Sequence, residues 1–321
     1  MYSRALIPVV LICGGLAVAG CSSTDYTQPI SDFAEATQNT EAAIVALDKQ
    51  VTDAYAALLR SRVLAKKSLV QPEKRNCQVS SDRCRLVIVD RDGNKQFLSP
   101  DPALGKTIIL MGSIRMYVEG LKAIVNAETA EAVTSQVNAT LGSVEALAGT
   151  LAKVNGEESS KKNISEYTTP VGKLVSWVVG QYVAKVKIDG LRRATEHAHP
   201  VIERVAEYLN EVAGIASDAP KLALAESVSK RAIALEGGLS DSNLDKLILS
   251  AARYDKFLLA RPNSVFKLFQ TAHFALVEKL QNDDQSLANM MAKIKSFASE
   301  AKTLAKILQE LAAAGGKDEE N

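Results

Sequence analysis

The chain has 321 residues, 47% of them hydrophobic, with 38 Lys+Arg against 37 Asp+Glu. That hydrophobic share excludes global disorder, and a net charge near zero argues against a strongly basic nucleic-acid binder and against an acidic tail protein. Three His leave little material for metal or acid–base chemistry, while Ala (45) and Leu (35) make up a quarter of the residues against 5% aromatics, a mix that favours helix over sheet.

Residues 1–21 read MYSRALIPVVLICGGLAVAGC. One charge, Arg4, precedes an uncharged stretch to Gly20, and its apolar part, Ala5 to about Val18, is shorter than the ~20 apolar residues of a spanning helix. Charged start, apolar middle and small residues at the end make residues 1–20 a secretory signal peptide. Val18-Ala19-Gly20-Cys21 resembles the lipobox of bacterial lipoproteins, with Val18 where Leu is commoner. The resemblance implies a diacylglyceryl group on Cys21 Sγ, cleavage before Cys21, and acylation of the new amino group by palmitate or a similar chain. With Ser22 rather than Asp after the Cys, it implies the periplasmic face of the outer membrane if the cell is Gram-negative. A bilayer is then the first partner, through acylated Cys21, because several acyl chains hold where a single one binds only marginally. The other reading is an ordinary signal peptide with Cys21 as an incidental thiol. Residues 21–31, short and polar with Pro29, read as a flexible tether. No later run has membrane-spanning length; the best, Val171 to Ile188, is interrupted by Lys173, Lys185 and Lys187.

Cys77 and Cys84 stand in NCQVSSDRC. An exported chain meets an oxidising compartment, and a bridge between them closes a small polar loop, stabilising by about 2–3 kcal/mol. The alternatives are a metal site, which lacks nearby His or Cys partners, and a redox pair, which favours C-x-x-C spacing.

The rest, residues 32–312, reads as an all-α body: an elongated multi-helix bundle of long amphipathic helices. Asp32 and Glu35 suggest a capping box, and Ala36, Ile44, Leu47, Val51, Ala54, Leu58, Ala65 and Leu69 recur at helical spacing with no Gly or Pro from Phe33 to Val70. Residues 72–100 break the pattern. Arg85–Val89 and Lys95–Leu98 flank Asp92-Gly93, a tight-turn signal, so a small disulfide-bearing β-hairpin insert is expected there. Helix resumes after Pro102 with Ile108, Ile109, Met111, Ile114, Tyr117, Val118 and Leu121 as one apolar face. A break at Asn126–Thr129 precedes a second run from Val133 to Val154. Residues 155–169 are polar and form the best candidate hinge. A strongly apolar helix from Val171 should be central, and Pro200 should kink or divide the helical run through Val201 to Ile215. Shorter segments close the chain: Lys221–Leu235, stopped by Gly237-Gly238; a run through Leu244, Leu247, Ile248, Ala251 and Phe257; Val265–Leu280; and Leu287–Leu311. Residues 313–321 read as a frayed tail.

Chemistry is sparse. His197 and His199 flank Ala198; on a strand they would share a face and bind metal, but on a helix they point apart, leaving a solvated helix end or hinge. His273 sits in an apolar helix and reads as a core residue. No nucleophile elbow, P-loop or dinucleotide fingerprint occurs, and Asp90-Asp92-Asn94 lacks the later positions of a calcium loop. Arg60, Arg62, Lys66, Lys67, Lys74 and Arg75 make a basic stretch that reads as a solvated face near a loop, with contact to an anionic surface such as lipid or lipopolysaccharide phosphates as the alternative. Met111, Met116, Met290 and Met291 read as core filling, and Gly112, Gly120, Gly142 and Gly149 either as places where helices cross closely or as positions that only lower local helix stability. The expectation is a non-enzymatic, lipid-anchored envelope protein without cofactor, metal or nucleic acid, a structural or interaction module with a protein partner of unknown identity. The alternative is a helical membrane-active or pore-associated protein.

Overall fold

The computed structural model describes residues 26–66, 69–72, 86–89, 93, 95–97, 102–156, 181–238, 240–282 and 284–315. Over these the chain is an all-α helical bundle bearing one small sheet. Its helices are α1 (Thr27–Lys66), α2 (Pro102–Asn126), α3 (Ala130–Val154), α4 (Gln181–Ala216), α5 (Asp218–Glu236), α6 (Asp241–Ala260), α7 (Ser264–Gln281) and α8 (Leu287–Gly315). Strands β1 (Leu69–Pro72), β2 (Leu86–Val89) and β3 (Lys95–Phe97) stand between α1 and α2.

α1 spans 40 residues, about 60 Å at 1.5 Å per residue, and is the central helix, packing on α2, α4, α5, α7 and α8. It begins before Asp32 because Pro29 sits in the first turn, where its missing N–H is not needed. Tyr26, Ile30 and Phe33 are buried, so the second half of the tether expected over 21–31 belongs to the core. Buried positions then recur at three and four: Ala36, Thr37, Thr40, Ala43, Ile44, Leu47, Val51. The two threonines enter the core because each hydroxyl donates to a carbonyl one turn back, Thr37 to Phe33 and Thr40 to Ala36, both at 2.9 Å.

The insert departs from the expected two-stranded hairpin. It is a three-stranded antiparallel sheet in the order β1-β2-β3, with Leu69 opposite Val89 and Val87 opposite Phe97. Leu69 and Val70 continue the helical spacing in sequence but pair with β2, giving that strand a ladder on both sides. Gly93 holds φ +82, a left-handed conformation that glycine adopts without strain. Cys77 and Cys84 lie outside the described residues, as do most of the candidate hinge and the start of the helix expected from Val171. At the other end, α8 runs to Gly315 through strong helix formers Ala312–Ala314, past the expected start of the tail.

Side-chain pairs give the helix directions. α2 runs antiparallel to α1, with Gln38 Nε2 donating to Glu119 at 2.8 Å and Arg115 paired to Glu41 at 3.3 Å. α8 runs parallel to α1: Phe33 meets Phe297 at 5.6 Å, and Gln50 Nε2 donates to the Leu308 carbonyl at 2.8 Å. Phe269 of α7 stacks on Phe33 at 5.4 Å and closes the aromatic triangle that joins the three helices. α4 runs antiparallel to α7, from Arg192, which donates to Leu280 O, to His199 beside His273.

α4 continues through Pro200 as one helix, so the expected division does not occur there. Proline removes one backbone donor and crowds the carbonyl four residues back, yet Leu191, Ala194, Ala198, Ile202 and Val205 bury one face across it. Packing on that face outweighs the local penalty. The glycines also sort differently. A Cβ on Gly120 would overlap the Thr140 side chain, and one on Gly190 would stand 2.7 Å from Val137 Cγ2, while Gly112, Gly142 and Gly149 have open space. Gly120 sets the α2–α3 approach and Gly190 the α3–α4 approach. Met111 and Met290 are buried as expected, but Met116 and Ile109 are exposed.

Candidate functional site

Titratable groups converge at one place in the interior. Tyr117 of α2 and His273 of α7 are both buried, and the Tyr117 hydroxyl lies 2.9 Å from His273 Nε2. His199 of α4 stacks on the His273 ring, with centroids 5.9 Å apart and planes within 5°. Phe274, exposed, borders His199 at 5.6 Å, and Phe33 closes the inner side at 6.4 Å from His273.

Burial sets the protonation of this group. It raises the Tyr117 pKa well above the ordinary phenol value, so the phenol keeps its proton. It pushes His273 down to about 3, helped by the charge of His199, so the imidazole is neutral at physiological pH. The consistent arrangement has Tyr117 O–H donating to Nε2, with the His273 hydrogen on Nδ1. His273 Nδ1 and His199 Nδ1 are buried with no hydrogen-bond partner among the described residues. A general base working near pH 7 needs a pKa near 7. His273 lies far below that and spends its accepting nitrogen on Tyr117; the hydrogen bond joins α2 to α7, and His199 of α4 stacks on the His273 ring without a polar bond to either residue.

His273 is therefore a core residue, as the sequence suggests, while His199 is not at a solvated helix end. It sits four residues beyond buried Thr195 and eight beyond buried Leu191, on the inner face of α4. That spacing is the signal in the sequence, and it marks the inner face only because the helix continues through Pro200. Among the described residues no group of three or more His, Cys, Asp or Glu is placed to hold a metal ion. Among them, too, no helix is long and apolar enough to cross a membrane.

Of the basic stretch, Arg60 is exposed on α1; Arg62 and Lys66 fall within the same helix, and Lys67, Lys74 and Arg75 lie outside the described residues, as does Cys21. Near Arg60, Ala57 and Leu58 face Ala223, Ser227 and the Glu226–Lys230 ion pair of α5 across a shallow groove of about 300 Å³.

The outer surface is distinctive at the α5–α6 hairpin. Pro220 is the buried residue of α5, and Ser250, Phe257 and Ala260 are those of α6. Leu244 and Ile248, which the apolar pattern suggested as core, are instead exposed on the side opposite Phe257. Leu259 at 70% and Ile233 at 65% are the most exposed large apolar side chains described. Periodicity shows that a helix has an apolar face; it does not show what covers that face. Compared with known protein families, with curated proteins and with solved structures, the chain finds no match.

Proposed function

We propose that the chain is a lipid-anchored protein of the cell envelope that acts as a non-catalytic protein-interaction module. The observation carrying the interaction reading is the α5–α6 hairpin, with Leu222, Ile233, Leu244, Ile248, Leu258 and Leu259 all exposed on two adjacent helices. Contiguous apolar surface of several hundred Å² marks interaction sites on water-facing proteins. The sealed Tyr117–His273 tie supports the non-catalytic part, since its titratable groups are spent on packing.

The anchor rests on the lipobox-like Val18–Cys21 and on Ser22, which favours the outer membrane's periplasmic face in a Gram-negative cell. Five Cα–Cα steps separate Cys21 from buried Tyr26, so an acylated Cys21 holds Tyr26, the residue before α1, within about 18 Å of its lipid attachment. A Cys77–Cys84 bridge belongs to the same proposal and would fasten the insert between β1 and β2. A photocrosslinking residue at position 248 tests the interaction reading in cells: protein adducts absent when the crosslinker sits at exposed Ser135 of α3, away from the hairpin, support it, and equal yields at both sites overturn it.

The membrane-active alternative draws on the same exposed leucines. Asp241, Asp245 and Asp255 on that helix oppose insertion, because carboxylates in hydrocarbon are expensive. Intact dye-loaded liposomes at high protein concentration are the expected result, and dye release would favour the alternative.

A further inference from the structure

α6 is apolar on two opposite sides. Ser250, Phe257 and Ala260 face the bundle. On the other side Leu244, Ile248 and Leu259 recur at i, i+4 and i+15, one face of a 3.6-residue helix, and all three are exposed. Charge divides between these sides as well. Arg253 donates to the Ala314 carbonyl and Lys256 pairs with Glu310, so both are turned toward α8, and Lys246 lies on that side by its spacing of seven from Arg253. Asp255 falls within the outward stripe, seven residues after Ile248, and Asp241 precedes Leu244 by three; both are exposed, as is Asp245 beside them. The outward face of α6 is thus an apolar stripe whose accompanying charges are all carboxylates.

We propose that this face of α6 docks an amphipathic helix of a partner protein, one whose apolar stripe is flanked by Lys or Arg. The inference rests on the reading of the chain as an interaction module and names its surface and the chemistry of its partner. Charge complementarity selects this occupant. A second copy of the hairpin would bring like-charged aspartates together, and an anionic bilayer would be repelled by them. A helix laid along the stripe sets its own apolar side chains against Leu244, Ile248 and Leu259 while its cations reach Asp241, Asp245 and Asp255.

The test uses the mature chain, residues 21–321 with Cys21→Ser, and two fluorescent 20-residue helical peptides of identical Leu pattern, one with Lys and one with Glu at the flanking positions. Fluorescence anisotropy at physiological ionic strength should show the Lys peptide binding at least tenfold more tightly. Ile248→Ser with Leu259→Ser should weaken it at least tenfold. Asp245→Lys with Asp255→Lys should reverse the preference toward the Glu peptide; all four positions are exposed, so both variants should keep the parent melting temperature. Equal binding of the two peptides, or indifference to both variants, overturns the proposal. So does self-association or vesicle binding that the Ser variant abolishes, which would assign the face to a second copy or to lipid. Crosslinks from other surfaces, with no peptide preference here, would remove this surface and leave the interaction-module reading standing.

Discussion

Tyr117 and His273 are 156 residues apart in sequence, and their side chains meet at 2.9 Å in the core. Tyr117 Oη and His273 Nε2 are each other's partner, so each single deletion strands a buried polar atom. Tyr117→Phe and His273→Leu should each cost about 1–3 kcal/mol, the penalty of a buried group left unpaired. The double variant should cost less than the sum. Urea denaturation of the four proteins gives the coupling; strict additivity would mean that the contact contributes nothing of its own.

The same histidine makes stability depend on acid. Its folded pKa, about 3, lies below the unfolded value of 6.5, chiefly because burial disfavours the charged ring. The native state therefore binds fewer protons, and this contribution is complete above pH 6.5 and is lost as pH falls toward 3. Relative to the Tyr117→Phe/His273→Leu variant, the parent should lose up to about 1.4 kcal/mol per pH unit within that window. Parallel pH profiles for the two proteins would exclude His273 as the source.

Gly190 and Gly149 make a matched pair. Ala at 190 drives a methyl against Val137, so Gly190→Ala should destabilise by about 1–3 kcal/mol, the usual penalty of overpacking. Ala at 149 meets open space and should stabilise by up to about 1 kcal/mol through helix propensity. Thermal melting of the two variants should shift in opposite directions.

The covalent proposals have direct readouts. Mass spectrometry of the membrane fraction should find the chain beginning at an acylated Cys21, and an unmodified Cys21 would remove the anchor. Non-reducing peptide mapping should recover Cys77 and Cys84 in one linked species. Free thiols at both positions would leave the sheet insert without its staple.

The long apolar periodicities were readable because helix packing repeats: Ile44, Leu47, Val51, Ala54 and Leu58 are core as their spacing suggests. What could not be read depends on partners distant in sequence. Leu69 and Val70 carry the α1 pattern onward and become strand only because β2 is there to pair with them. Gly120 differs from Gly112 by the position of Thr140 alone. His199 needed α7 beside it before its burial had meaning. The α5–α6 face shows the same limit from outside, since Leu244 and Phe257 look alike in sequence and sit on opposite sides of one helix.

The parallel contact between α1 and α8 bears on how the protein is made. Gln50 and Leu308 are 258 residues apart, and the Phe33 ring waits for Phe269 and Phe297. A ribosome that has finished α1 has made a 40-residue helix that α2 can cover early, but whose side facing α7 and α8 stays uncovered until almost the whole chain has been added. Contacts of such sequence separation form slowly and leave sticky intermediates. Holdase chaperones should therefore matter more to the yield of this protein than its final stability suggests, and stalling synthesis before Leu287 should leave a nascent chain that proteases digest throughout.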